Sequence, residues 1–287
     1  MKKPAALCLA FVLLLSGCAS NPAAKEEAPG SVSKNEITSA RELLDFFESG
    51  GPSARLKADI DLEDAMLKLT AARGPVEIIG GGHTVSGSAP CVIRLEDGCS
   101  IALNGISIAA RQTGLGLLGS GTVFAEDTSI TAQSNAIQAA GALTIAQESS
   151  LTLSGGGSGI VSLGLNLQQD GALNVSAVSF AVATGRGDIT LYPRAALTCE
   201  AAGDNAVKTD GTLILMEDAV FTASNTGEHN GAKVGALQAE RSATLNAKGG
   251  ENGAGLFVVE LYEDIALKGG SSPELKTEAG KGRLTFE

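Results

Sequence analysis

The chain has 287 residues, of which 44% are hydrophobic, and its formal net charge is −11. This length and apolar content suffice for one folded domain with a substantial core. The acidic balance argues against nucleic acid as a partner, because nucleic-acid binding requires at least a basic stripe on the surface.

Residues 1–17 predict an export signal. Two lysines precede an apolar run over 5–15, which is too short to span a bilayer comfortably. The run ends in Leu15-Ser16-Gly17-Cys18, which resembles a bacterial lipobox. The resemblance implies a lipoprotein signal peptide, cleavage before Cys18, and diacylglycerol on the Cys18 thiol that binds the membrane. The protein would then be exported and lipid-anchored to the bacterial membrane, at the cell surface or in the periplasm. The alternative is a plain secretory signal that contains a cysteine.

Residues 18–36 predict a flexible tether, because after Cys18 they are rich in Ala, Pro, Ser, Lys and Glu and have few large apolar side chains. The segment 37–51 predicts a capping helix. Ser39 and Glu42 have the spacing of a capping box, and an apolar face of Leu and Phe follows over 43–47. Gly50-Gly51 predicts a left-handed stop. We expect this helix to cover the first coil of a repeat structure, whereas a partner-binding helix is the alternative.

A repeat extends over residues 135–223. Two alternating apolar pairs recur in each unit at a nearly constant step, and the second pair follows the first at a constant offset. The first pairs are Leu143/Ile145, Leu165/Leu167, Ile189/Leu191 and Leu213/Leu215, and the second pairs are Leu151/Leu153, Leu173/Val175, Leu197/Cys199 and Phe221/Ala223. A third short strand precedes them, as in residues 135–139 and 205–209. This pattern predicts an all-β fold, a right-handed parallel β-helix over 52–287, with inward ladders such as Ile145, Leu167, Leu191 and Leu215. A β-sandwich is the alternative, and it would require hairpins instead of this offset.

Two sequence segments early in this region resemble those of a known family. The segments 76–85 and 101–108 resemble the opening coils of pectate-lyase-like β-helix domains in bacterial surface proteins. The phrase at 205–213 is similar to a class of β-helix carbohydrate-binding domains. The resemblance covers about Ser39 to the C-terminus, and it implies a polysaccharide ligand.

Beyond the repeat, residues 236–240 align with 206–210, which is a longer step than the preceding ones. This alignment predicts an inserted polar loop over 224–235 that holds Glu228 and His229. Among the cysteines, Cys199 falls in an inward column. Cys91 and Cys99 flank one short strand, so either a disulfide or two free thiols fits the sequence.

The same alignment defines an outward column of Ala140, Ser162, Arg186, Asp210 and Glu240. Lys208 and Asp188 lie close to it in sequence. Pectate lyases hold calcium with acidic residues and use an Arg or Lys as a base, so the resemblance makes Arg186, Asp188, Lys208, Asp210 and Glu240 a candidate site for a glycan or a calcium ion. The alternative is an exposed ion-pair ladder. We predict no catalytic residue, and no cofactor other than calcium.

These observations predict a cell-surface lipoprotein whose β-helix is a non-catalytic binding or adhesion module for polysaccharide. One alternative is a calcium-dependent polysaccharide lyase that uses Arg186, and another is a structural spacer or scaffold. The chain has no Trp and two Tyr. Affinity for a neutral glycan would therefore depend on hydrogen bonds instead of aromatic stacking.

Overall fold

The computed structural model describes residues 35–267, 269–271 and 274–286. The predicted signal peptide, Cys18 and nearly all of the tether lie outside these residues. Strand β1, Asn35–Ile37, pairs in parallel with β2, Ser53–Leu56, so the last two positions of the predicted tether belong to the folded body.

A single α-helix occurs in the described part of the chain, α1, Ala40–Ser49. The predicted capping box is confirmed: the Glu42 N–H donates to Ser39 Oγ at 3.4 Å, and the Ser39 N–H donates to Glu42 Oε2 at 3.1 Å. Leu43, Phe46 and Phe47 are buried against the first coils. The helix therefore covers the N-terminal end of the core, as predicted.

The predicted left-handed stop at Gly50 is wrong. Gly50 has φ −72°, and its N–H donates to the Phe46 carbonyl at 2.9 Å. A Cβ at this position would lie 2.8 Å from Phe46 Cα and from its carbonyl oxygen. Glycine is thus required for a close approach and not for a positive φ. The Arg73 guanidinium completes this end of the helix by donating to the Phe46 and Gly51 carbonyls at 3.0 and 2.8 Å.

The rest of the described chain forms a parallel β-solenoid of about 11 coils, in which three walls of strands surround one apolar core. Wall 1 and wall 2 belong to one continuous sheet because β22, Val207–Leu215, and β24, Ala232–Ala239, run through both. The other strands of wall 1 are β4 (Leu67–Leu69), β7 (Cys91–Leu95), β10 (Thr113–Leu117), β13 (Asn135–Ala139), β16 (Ser158–Val161), β19 (Val182–Ala183), β26 (Leu256–Glu260) and β29 (Leu275–Ala279). The other strands of wall 2, which begins with β1 and β2, are β5 (Val76–Ile79), β8 (Ser100–Asn104), β11 (Gly121–Glu126), β14 (Ala142–Ile145), β17 (Gly164–Leu167) and β20 (Ile189–Leu191).

Wall 3 is a separate ten-stranded parallel sheet. Its strands are β3 (Ile60–Asp61), β6 (Thr84–Gly87), β9 (Ser107–Ala110), β12 (Thr128–Ala132), β15 (Ser150–Gly155), β18 (Ala172–Ala177), β21 (Ala196–Ala201), β23 (Val220–Asn225), β25 (Thr244–Lys248) and β28 (Gly269–Ser271). A short parallel pair, β27 (Ile265–Leu267) with β30 (Leu284–Phe286), lies in the last coils. A 3-10 turn, Ala71–Arg73, precedes β5.

The predicted inward ladders are confirmed in register. Ile145 pairs with Leu167, Leu167 with Leu191, and Leu191 with Leu215. The second ladder, Leu153, Val175, Cys199 and Ala223, is formed in the same way on wall 3. All eight side chains are buried. The period of the sequence therefore sets the coil length, because an apolar side chain is removed from water only when it packs on the equivalent side chain of the next coil.

The predicted loop over 224–235 is wrong. Leu213 pairs with Leu237 and Val207 with Ala232, so this coil repeats the steps of the coil before it and not the longer step that was predicted. Ser224 and Asn225 belong to β23, and the residues from 232 belong to β24, so only 226–231 form a connection. No coil is lengthened here, and His229 lies in an ordinary bend.

Cys91 and Cys99 are free thiols, so no disulfide joins them, and both are buried. The Cys91 Sγ lies 3.2 Å from Met66 Sδ, and the Cys99 Sγ lies 3.5 Å from the Leu69 carbonyl oxygen. Cys199 is buried in its predicted inward column, and burial raises the pKa of its thiol far above the ordinary range.

Candidate functional site

Three of the predicted site residues, Arg186, Asp188 and Asp210, lie at the corner between wall 1 and wall 2, and all three are exposed. The chain bends there at Gly185, whose φ is +56°. Asp188 has a structural contact, because its Oδ1 accepts the Thr212 N–H of the next coil at 2.8 Å. At the corner, the Thr212 N–H does not take part in the regular hydrogen bonding between strands, and the Asp188 carboxylate supplies its acceptor.

The structure does not join Arg186 to Asp210. The pairing of Ala183 with Lys208 puts Asp210 beside Gly185, and the Asp210 N–H donates to the Gly185 carbonyl at 2.6 Å. Among the described residues, no ion pair involves Arg186. The predicted alignment used the step of wall 2, where Ile189 pairs with Leu213, and the step in wall 1 is longer by a single position.

Glu240 lies at a different corner. Leu215 pairs with Ala239, and the Glu240 N–H donates to the Leu215 carbonyl at 2.8 Å. Glu240 therefore follows wall 2, whereas Asp210 follows wall 1. Its predicted place in the column of Arg186 and Asp210 is wrong, because residues 236–239 pair with wall 2 of the preceding coil and not with 206–210.

Ser162, which the sequence put in the outward column, points into the corner and is 4% exposed. Thr184 and Thr209 occupy the equivalent places in the next coils and are also buried. Their hydroxyls donate to carbonyls of the bend: Ser162 to Gly164 at 3.0 Å, Thr184 to Gly187 at 2.8 Å and Thr209 to Gly187 at 2.7 Å. This hydroxyl ladder holds the corner and is not a binding surface.

Lys208 is the one predicted site residue that lies on the outer face of a wall. It belongs to an outward column that runs along wall 1 through ten paired strands, from β4 to β29. We call it the basic column, and its members in order are Lys68, Arg94, Gly116, Gln138, Val161, Ala183, Lys208, Lys233, Phe257 and Lys276. Five of these ten residues are cationic and none is acidic, although the chain carries a net charge of −11.

Aromatic rings lie beside two lysines of this column. The Lys208 Nζ lies 5.4 Å from the centroid of the Phe180 ring, and the Lys233 Nζ lies 5.1 Å from that of Phe257. These distances allow cation–π attraction, which stabilises an ammonium without neutralising it. Both lysines are partly exposed, and no carboxylate of the described residues forms an ion pair with either.

Wall 3 presents a different surface, a nearly uncharged array of hydroxyl and amide groups. One outward column consists of Thr84, Ser107, Ser129, Thr152, Asn174, Thr198, Thr222 and Asn246. It is partly or fully exposed along its whole length. Ser129 Oγ donates to Ser107 Oγ at 3.0 Å, so neighbouring coils can share hydrogen bonds along the column.

Charged residues also line the corner between wall 2 and wall 3. Glu148, Asp170, Arg194 and Asp218 have φ between 53° and 60°, and they recur at the steps of the repeat. Arg194 forms a bidentate pair with Asp170, with N–O distances of 2.6 and 2.7 Å. This pair lowers the pKa of the Asp170 carboxyl below its usual value. The pair is exposed and links two coils.

The described residues contain no group of three His, Cys, Asp or Glu side chains that could hold a metal ion. The Asp59 carboxyl accepts the Thr84 N–H and contacts His83 at 3.3 Å, and these two hydrogen bonds lower its pKa. Among the described residues as a whole, no helix has both the length and the apolar character needed to cross a membrane.

The sequence contains a recognisable pattern for part of the basic column. Val207-Lys208-Thr209 and Ala232-Lys233-Val234 share a pattern in successive units, which would have predicted two stacked lysines. Phe257 and Lys276 carry no such signal, because the coils after 250 depart from the regular pattern.

No protein-family model matches the chain. No curated protein sequence matches it either. Among solved structures, the chain is similar to the L. reuteri 53608 SRRP, with a TM-score of 0.53 and 14% identity over 88% of this chain and 99% of that one. A second similar structure is the L. reuters 100-23 SRRP, with a TM-score of 0.42 and 9% identity over 91% of this chain and 97% of that one. At this identity, the first similarity shows a shared solenoid fold and nothing further.

Proposed function

We propose that the protein is a non-catalytic binding module, used for adhesion, and that its ligand is a polysaccharide. The observation that carries this proposal is the basic column, an outward surface that is continuous through ten strands of wall 1. A parallel solenoid stacks equivalent positions along its axis, so an extended polymer can contact many coils at once. Repeated weak contacts of this kind suit adhesion.

The geometry gives the lyase alternative little support. That hypothesis uses Arg186 together with acidic residues that hold calcium, and the described residues contain no group of three His, Cys, Asp or Glu side chains that could hold a metal ion. Glu240 lies at a different corner from Arg186 and Asp210. A general base must lie within hydrogen-bond reach of the proton it removes, together with groups that stabilise the developing charge. Of the acids at the same corner, Asp188 accepts the Thr212 N–H and Asp210 lies beside Gly185, and no ion pair of the described residues involves Arg186.

The proposed location is the bacterial membrane, through a lipid on Cys18. The proposal rests on the lipobox resemblance at 15–18. If the part of the predicted tether (18–36) that precedes β1 is flexible, it would let the solenoid reach a ligand away from the bilayer, because a flexible segment of this length spans roughly 20–25 Å on average.

A glycan array tests the proposed function. The full chain in detergent micelles is applied to neutral and acidic polysaccharides, with and without calcium, and the same polysaccharides are assayed for unsaturated sugar products. Retention without product supports a binding module. Calcium-dependent release of unsaturated sugars would establish the lyase instead. If the array shows neither retention nor product, the result favours a spacer.

A further inference from the structure

We infer that the C-terminal part of the basic column, Lys208, Lys233 and Lys276 with Phe257, is a calcium-independent site for an acidic polysaccharide. The inference rests on the proposed binding function and names the ligand class and the residues.

The first argument is the distribution of charge. The chain has 32 acidic side chains and 21 Lys or Arg side chains, so the basic column, with five cations and no acid, has the opposite charge balance to the chain as a whole. Its central residues, Gly116, Gln138, Val161 and Ala183, are uncharged, so the positive potential is concentrated at its two ends. A positive surface on an acidic protein attracts anions locally, whereas the molecule as a whole repels them.

The second argument is the stacking of Lys208 on Lys233. They are register partners on adjacent parallel strands, whose backbones lie ~4.8 Å apart. Like charges directly opposite one another destabilise a sheet. Lys208 lies over Phe180, and Lys233 lies over Phe257, the column residue of the following coil. The rings hold the two ammonium groups in place, but no described carboxylate neutralises them. Folding alone would favour a neutral or acidic residue at one of these positions, so the pair is better explained by an anion that binds between them.

The third argument is the direction of the site. Its charges follow the solenoid axis, with Lys208 and Lys233 one coil apart and Lys276 two coils beyond Lys233. Spacings of ~5 and ~10 Å suit a linear polymer that bears one anionic group on every sugar or every second sugar. Phe257, between Lys233 and Lys276, is partly exposed, so its ring can contact a sugar that also contacts the Lys233 ammonium. Lys276 pairs with Glu274 at 3.7 Å, but both side chains are at least half exposed, so a ligand anion can displace this contact.

The site differs in kind from a calcium-bridged one. A lysine ammonium binds a carboxylate or sulfate directly, without a metal between two anions. Binding should therefore be unaffected by a chelator and should weaken as salt screens the charges, since the Debye length is about 8 Å at physiological ionic strength.

Dextran derivatives allow a matched test because they share one backbone. Binding of the full chain in detergent micelles to dextran sulfate, carboxymethyl-dextran and unmodified dextran is measured by biolayer interferometry, with EDTA and over a range of salt. The site variant is Lys208→Gln/Lys233→Gln/Lys276→Gln. The control, Lys57→Gln/Lys248→Gln/Lys281→Gln, removes the same charge from exposed positions outside the basic column.

We expect the two anionic dextrans to bind and unmodified dextran not to bind. The site variant should bind about tenfold more weakly or worse, whereas the control should change affinity less than about twofold. EDTA should have no effect, and both variants should melt close to the parent temperature, which excludes misfolding.

Equal weakening in the two triple variants would overturn the site while leaving polysaccharide binding intact. Binding of unmodified dextran alone, or abolition of binding by EDTA, would overturn the acidic ligand and the calcium independence respectively. Polyphosphate is measured as a fourth ligand, and if it binds more strongly than either anionic dextran, the site does not select a sugar backbone and the assignment to a polysaccharide is overturned. If no polysaccharide on the array or in this series binds, the proposed function fails together with the inference.

Discussion

At the scale of single residues, two charged side chains at the corner between wall 1 and wall 2, Asp188 and Arg186, have different roles. Asp188 accepts a backbone N–H of the next coil, whereas Arg186 has no ion-pair partner among the described residues. An apparent site in a sequence can therefore combine residues with unrelated roles.

We expect Asp188→Ala to lower the free energy of unfolding by about 1 kcal/mol, because the Thr212 N–H loses its acceptor. Asp188→Asn should cost less, since the amide oxygen can still accept. Arg186→Ala should change stability by about 0.5 kcal/mol or less. Denaturant titration measures all three. A large loss in Arg186→Ala, or acidic-glycan binding that depends on Arg186, would restore the corner as a functional site.

The pair of Asp170 and Arg194 predicts a pH dependence. The hydrogen bonds from Arg194 lower the pKa of Asp170 in the folded state. A lowered carboxyl pKa contributes stability that is present above the unfolded-state pKa, about 4, and is lost as the pH falls through the folded-state value. The stability difference between the parent and Asp170→Asn should therefore be constant near neutral pH and should vanish in acid. A difference that stays unchanged as the pH falls through the acid range would contradict the assignment. The control is Asp127→Asn, at another acid with a positive φ.

At the scale of the strands, the inward ladders were predictable because burial imposes one strict condition. Each apolar side chain must lie on the equivalent side chain of the next coil, so a period in the sequence is a period in space. Leu143, Leu165, Ile189 and Leu213 satisfied this condition at every step. Outward side chains are under no such constraint on residue type, so the sequence does not show which outward residues are register partners. The predicted column of Arg186, Asp210 and Glu240 is wrong for this reason.

We expect Leu191→Ala to cost about 2–5 kcal/mol and Leu191→Asp to prevent folding, because Leu191 is completely buried between Leu167 and Leu215. Thr198→Ala is the matched control, since Thr198 is exposed on wall 3 of the same coil. Circular dichroism melts compare the three variants. A soluble, cooperatively folded Leu191→Asp protein would show that the inward register is wrong.

The misalignment at 236–240 has a physical cause. Residues in alternating apolar and polar order fit either wall 1 or wall 2, because both walls have the same alternation of inward and outward side chains. Ala236-Leu237-Gln238 resembles Ala206-Val207-Lys208, but it pairs with Thr212-Leu213-Ile214. Strand β24 continues through the corner at Gly235 and leaves no loop to mark the change of wall. Local alternation therefore predicts a strand but not the wall to which the strand belongs.

At the scale of the whole molecule, the three walls differ in chemistry although they enclose one core. Wall 1 carries the basic column, and wall 3 carries a nearly uncharged hydroxyl array. A net charge of −11 thus gives no indication of where an anionic ligand can bind. Which side chains share a surface depends on the register of every coil, and the composition does not contain that information.

The anchor is the remaining prediction at this scale, and it concerns residues outside the described part of the chain. If Cys18 carries diacylglycerol, the membrane affinity of the protein comes from acyl chains that contribute ~0.8 kcal/mol for each buried CH₂. Cys18→Ala should then leave an unprocessed precursor or release the protein from membranes. The measurement is fractionation of cells that express the full chain, with mass spectrometry of the N-terminal peptide. Cys8→Ala is the control, because Cys8 lies within the predicted signal and should leave both lipid and membrane retention unchanged. Retention of a correctly cleaved, lipid-free Cys18→Ala protein in the membrane fraction would contradict the lipoprotein prediction and favour another mode of attachment.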